Sequence, residues 1–186
     1  MLNKTVKISG ILCLIALLTA LLLGVTNEAT NKTIIKRQQE VINAAMAEVI
    51  PARTYNLLKK VPDEYELYAA LNGDDLVGYA VSLAETGYGG DIKMMIGVTA
   101  DTEPVIAGIS ITEMSETPGL GDNARKPEFT DMFKGLPKDE LSLTRDSGKI
   151  QAISGATITS NAFVRGTNRA IDIVSSHTSG GANDEQ

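Results

Sequence analysis

An uncharged run from Ile8 to Val25, made mostly of Leu, Ile and Ala, constrains this chain more than any other feature. Eighteen residues at about 1.5 Å each reach about 27 Å, close to the hydrocarbon thickness of a bilayer. The run is longer than the core of a cleaved signal peptide, and no clear A-x-A site follows it. Cys13 sits behind Leu12, where a lipoprotein signal would carry a small residue. Residues 1–26 therefore read as a retained transmembrane anchor. Lys4 and Lys7 favour an N-terminus in the cytoplasm, while Lys32, Lys36 and Arg37 beyond the run blur the asymmetry.

About 160 residues remain, enough for one domain with its own core. All 23 acidic residues and 15 of the 17 basic ones follow the run, giving this part a formal charge of −8. That balance argues against nucleic acid or anionic lipid as partners. The single cysteine lies inside the apolar run, so the chain alone builds neither a disulfide framework nor a cysteine-ligated iron–sulfur site. His177 is the lone histidine, and a Ser-His-Asp arrangement or a histidine-rich metal site is implausible. It reads as a solvated residue at a helix end. No catalytic or metal-binding side chain is expected.

Hydrophobic periodicity divides the rest. Ile34, Val41, Ala45 and Val49, flanked by Ile35, Ile42 and Met46, form a helical stripe over 27–51 that continues from the anchor and ends at Pro51. The stripe suits either a sheet or a partner helix. Glu64–Leu71 and Leu76–Ala84 read as strands joined by a turn at Asn72-Gly73-Asp74-Asp75, and Ile92–Thr99 and Val105–Thr112 as a second pair. A loop at Thr117–Lys126 precedes a short helix from about Pro127 to Phe133, which Gly135 and Pro137 terminate. Ile150–Ile153 is expected as a short strand. Phe163, Gly166, Ala170, Ile173 and Val174 then mark a final helix, and the polar, Gly-rich residues 176–186 a disordered tail. The fold class is α+β: a membrane helix, then a domain over 52–175 with a mostly antiparallel sheet and flanking helices.

Two segments carry chemistry. Ser154-Gly155-Ala156-Thr157 stands just before the last helix, with Thr159 or Ser160 as its N-cap. A helix start offers unpaired N–H groups and the positive end of a dipole, which suits a phosphate. Gly155 and Ala156 would let the phosphate approach, and Thr157 would hold a hydroxyl beside it. An ordinary loop-to-helix junction has the same composition. In Glu116-Thr117-Pro118-Gly119-Leu120-Gly121-Asp122, Pro118 presets one backbone angle and Gly119 accepts positive φ, so a tight turn is expected. Gly121 would leave room for a flat ligand, Leu120 would pack on its face, and Thr117 would bond its heteroatoms. Glu116 and Asp122 are candidate negative charges near such a ring, or plain solvated turn residues.

Both segments resemble motifs of one family, the FMN-binding subunits of Rnf-type and sodium-pumping quinone reductase complexes. Ser154–Thr157 is similar to the flavinylation tetrad, and Glu116–Asp122 to the E-T-P-G-L-G-D loop. Tyr88-Gly89-Gly90, ahead of Asp91–Val98, looks like the G-Y-x-G turn of the same proteins. The resemblance extends from the membrane segment to Val174. It points to the G subunit of Rnf-type complexes, with the C subunit of the quinone reductase as the alternative. Where the family often has an aspartate and a histidine, this chain has Gln151 and Met114.

The resemblance implies covalent FMN on the Thr157 hydroxyl, held by Ser154, Gly155, Ala156 and Glu116–Gly121. It also implies a flavin domain on the outer face of the membrane that relays electrons within a complex coupling transfer between ferredoxin and NAD to sodium or proton movement. Implied partners are membrane proteins of the same complex carrying another FMN and iron–sulfur clusters. Thr157 has no neighbouring histidine or lysine to activate it, so a separate flavin transferase is expected to attach FMN from FAD. A membrane-tethered sensor or scaffold without electron transfer is the reading from another class.

Overall fold

The computed structural model describes residues 2–181. Helix α1 runs over Leu2–Val49. Within it Val6–Asn27 is long and apolar enough to cross a membrane, and its side chains are uncovered by protein. The chain divides into two compact units, 1–41 and 42–186.

In the second unit one antiparallel meander forms the sheet, in the order β1 (Thr54–Val61), β2 (Tyr65–Asn72), β3 (Asp75–Thr86), β4 (Asp91–Thr99), β5 (Ile106–Glu113). Tight turns join neighbours. Gly73 and Asp63 take positive φ at two of them, as two- and three-residue hairpin turns require. The strand pairs expected at 64–84 and 92–112 are present. β1 escaped the sequence reading because its side chains are nearly all exposed, and Leu57, Leu58, Lys59 and Lys60 show no two-residue alternation. A bulge between Leu57 and Lys59 breaks the pattern further.

Alternation along β3 and β4 divides the core between two faces. Val81, Leu83, Met94 and Ile96 pack with Phe129, Phe133 and Phe163 under helix α3 (Thr157–Gly181). Ala80 and Met95 face the other way and meet Ala45, Met46, Val49 and Ile50 at the end of α1. The expected helical stripe is thus sheet-facing core in its last third, while Ile34, Ile35 and Val41 are exposed. Gly97 and Gly108 are register partners in β4 and β5. A Cβ on Gly97 would collide with the Val49 carbonyl, and one on Gly108 would lie 3.2 Å from Val49 Cα. These glycines form the trough that admits the helix end.

Helix α2 (Pro127–Thr130) continues as a 3-10 turn to Phe133, as expected. Three expectations change. Ile150–Ile153 is no strand: Ile150 makes a single parallel bridge to Leu143, and the Ile153 N–H is taken by the Ser160 hydroxyl at 2.9 Å, so no ladder propagates. The N-cap is neither Thr159 nor Ser160, since the helix already begins at Thr157. The polar segment also stays helical to Gly181, with Thr178 Oγ1 bonded to the Val174 carbonyl and His177 edge-on to Tyr79 at 6.2 Å. Of the expected disordered tail, residues 182–186 lie outside the described residues.

Candidate functional site

The two chemistry-bearing segments meet through a pair of matching turns. In the first, the Leu120 N–H donates to the Thr117 carbonyl at 3.1 Å, with Pro118 and Gly119 (φ +77°) between them. In the second, the Ala156 N–H donates to the Ile153 carbonyl at 3.0 Å, with Ser154 and Gly155 (φ +75°) between. Each has the form of a type II turn, which needs positive φ at its third residue. Leu120 Cδ2 lies 3.1 Å from where a Gly155 Cβ would stand, so one turn rests on the other.

Behind the turns lies Glu116, only 9% exposed. Its Oε1 accepts the N–H groups of Tyr88 at 2.8 Å and Gly89 at 3.2 Å, and its Oε2 accepts the Thr159 hydroxyl at 3.0 Å. A buried carboxylate is tolerated when donors replace the lost water, and here three do. Glycines make the space. A Cβ at Gly87 would collide with Oε1, and one at Gly121 would stand 2.5 Å from Oε2 and 2.8 Å from Thr159 Oγ1. Gly121 therefore does not leave room for a flat ligand; Glu116 and Thr159 fill that space. Glu116 itself is not a solvated turn residue. Asp122 is: it pairs with Arg125 at 3.0 Å in solvent, and Arg125 also donates to the Met114 carbonyl at 2.9 Å.

The hydroxyls around the tetrad differ in availability. Thr159 is fully buried and donates to Glu116. Ser160 is fully buried, accepting from Ile153 and donating to the Ala156 carbonyl. Ser154 is exposed in the turn. Thr157 is half-buried at the first position of α3, and its hydroxyl has no hydrogen bond among the described residues. Helix geometry leaves the N–H groups of Thr157, Ile158 and Thr159 without intrahelical acceptors, and no acid lies in the first turn to compete for them. Thr117, Pro118, Gly119 and Leu120 are exposed on the facing turn. Tyr88, Leu120 and Ile158 are exposed large apolar side chains, one on each of the three segments joined around Glu116. The sequence reading missed the tie from Thr159 to Glu116, because nothing in either motif tells which hydroxyl turns inward.

Residues 87–172 match the family model of the FMN-binding domain. The span takes in the Tyr88 turn, both motif turns and most of α3. Among relatives, the chain is 31% identical over 182 residues to the G subunit of the proton-translocating ferredoxin:NAD(+) oxidoreductase complex of Clostridium ljungdahlii, covering 96% of each chain. It is 34% identical to the G subunit of the Na(+)-translocating ferredoxin:NAD(+) oxidoreductase complex of Acetobacterium woodii, covering 90% of each. It is 33% identical to the G subunit of the ion-translocating oxidoreductase complex of Methanosarcina acetivorans, covering 93% of this chain and 96% of that one. The chain belongs to the G-subunit family of Rnf-type ion-translocating oxidoreductase complexes.

Proposed function

We propose that this chain is the FMN-carrying electron relay of a membrane-bound ferredoxin:NAD oxidoreductase that moves ions, with the flavin phosphate esterified to Thr157. The observation that carries this reading is the contrast among neighbouring hydroxyls. Thr157 is reachable, unbonded and at the positive end of a 25-residue helix, whereas Thr159 and Ser160 are buried and engaged. A phosphodiester there keeps one negative charge beside free N–H groups. Gly155 and Gly119 keep the approach open, and Tyr88, Leu120 and Ile158 offer apolar surface to the ring.

Bound FMN supplies a centre that exchanges one or two electrons, a capacity that the chain's own side chains lack. The chain's part is to hold it. No histidine or lysine stands within the tetrad to take the Thr157 proton, so attachment belongs to a separate transferase. In that step Thr157 Oγ displaces AMP from FAD, one phosphoester bond forms as the pyrophosphate bond breaks, and the hydroxyl proton leaves with a base of the transferase. The flavin domain lies on the outer face, and its partners are membrane subunits bearing FMN and iron–sulfur clusters. Activity belongs to the assembled complex.

The test is co-expression with a flavin transferase, then a denaturing gel under ultraviolet light. A fluorescent band is expected that disappears in Thr157→Ala, with the FMN mass located on Thr157 in the peptide spanning 150–165. A wild-type chain without added mass, or the mass on Ser154, sinks the assignment.

A further inference from the structure

Resting on the flavin reading above, we infer that Glu116 is a positioning residue. Its buried carboxylate clamps the Tyr88–Gly89 backbone to the first turn of α3 and so fixes where Thr157 presents its hydroxyl. Among the described residues the carboxylate makes no hydrogen bond to Thr157; it acts through Thr159, two residues along the same helical turn. One oxygen holds the β3–β4 turn by two N–H groups, and the other holds α3 by a hydroxyl. Leu120 resting on Gly155 and Arg165 donating to the Thr86 carbonyl bring the same segments together, and the Glu116 carboxylate is the group that bonds the β3–β4 turn and the first turn of α3 at once. The glycines fit the same purpose. Gly87 and Gly121 lack the Cβ atoms that would push the carboxylate away, and Gly89 lacks the one that would strike the Ser115 carbonyl.

What the clamp needs is a pattern of bonds. A glutamine at this position keeps an oxygen for the Tyr88 and Gly89 amides and turns its NH2 toward Thr159, whose oxygen can accept. An alanine removes the acceptor of the buried Thr159 hydroxyl and of the part-buried Tyr88 and Gly89 amides. Gly121→Ala provides an independent disruption, because it displaces the carboxylate without touching it chemically.

The experiment uses the full chain in detergent and follows two quantities, well below the unfolding temperature measured for each variant. One is hydrogen exchange at the Tyr88 and Gly89 amides; the other is the initial rate of FMN incorporation at Thr157 by a flavin transferase with FAD, read by intact mass. Glu116→Ala and Gly121→Ala are expected to lose amide protection and slow incorporation about tenfold or more. Thr159→Val, which keeps shape and removes one bond, should slow it about threefold. Glu116→Gln should regain protection and most of the rate lost in Glu116→Ala, a rescue that charge alone cannot give. Unchanged protection in both disrupting variants overturns the clamp. Lost protection with an undiminished rate overturns its positioning role while leaving Thr157 as the acceptor. A wild-type chain that takes no flavin overturns the flavin reading and this inference with it, and the exchange data then still report on the hydrogen bonds themselves.

Discussion

Thr157 and Thr159 are the same residue type two positions apart, yet packing gives them opposite tasks. Thr159 faces inward and spends its hydroxyl on Glu116; Thr157 faces the helix start with its hydroxyl unbonded. Thr157→Ser therefore keeps an acceptor oxygen in place and is expected to retain part of the flavin incorporation that Thr157→Ala abolishes, as intact mass will report. Gly155 is the second sensitive position. Its φ of +75° costs an L-residue about 1–2 kcal/mol, and an added Cβ would press on Leu120 at 3.1 Å. Gly155→Ala should lower the melting temperature of the domain by about 2–8 °C in a thermal scan, with about 2–4 °C per kcal/mol for a domain of this size. It should also slow flavin incorporation, because the turn that supports the tetrad must move.

At the scale of elements, the sheet is a plate with a different helix on each face. α3 presses one face closely enough that a Cβ on Gly166 would stand 2.8 Å from Met94 Sδ. On the other, the last turn of α1 settles into the trough at Gly97 and Gly108. A side chain there forces backbone apart, since the obstacle is the carbonyl of Val49 and not the tip of a flexible side chain. Gly97→Ala is expected to destabilise the domain by about 1–3 kcal/mol, as overpacked cores do, read as a lower denaturation midpoint. The Glu116 hydrogen bonds lie beyond the other end of β3 and β4, so flavin incorporation at permissive temperature is expected to stay near wild type. α3 is also tied by charge to the end of β3 and to the β1–β2 turn: Arg165 pairs with Glu85 at 3.2 Å and donates to the Thr86 carbonyl at 2.7 Å, and Arg169 reaches Glu85 and Glu64. These pairs sit in or near water and add little stability singly.

For the whole molecule, sidedness is the open property with a direct measurement. With Cys13→Ser removing the native thiol, Asp101→Cys in the exposed β4–β5 turn is expected to react with a membrane-impermeant maleimide on intact cells. Labelling that requires permeabilisation would put the domain in the cytoplasm. The sequence by itself determined the long apolar helix, four of the five strands, the final helix and the two turns, because each rests on a local rule: an uncharged run, a two- or 3.6-residue period, a Pro-Gly pair or a glycine needing positive φ. The family was legible too, as a resemblance carried by Ser154–Thr157, Glu116–Asp122 and Tyr88–Gly90. Tertiary structure alone decided the rest. β1 is held by pairing with β2 and hides no apolar face that a pattern could reveal. The polar end of α3 stays helical through its own hydrogen bonds and the Tyr79–His177 contact. Glu116, read from the sequence either as a negative charge near a ring or as a solvated turn residue, is a buried hub between segments 28 and 43 residues away. Local sequence cannot announce such a role, since burial and hydrogen-bond partners are set by which distant segments the fold brings together.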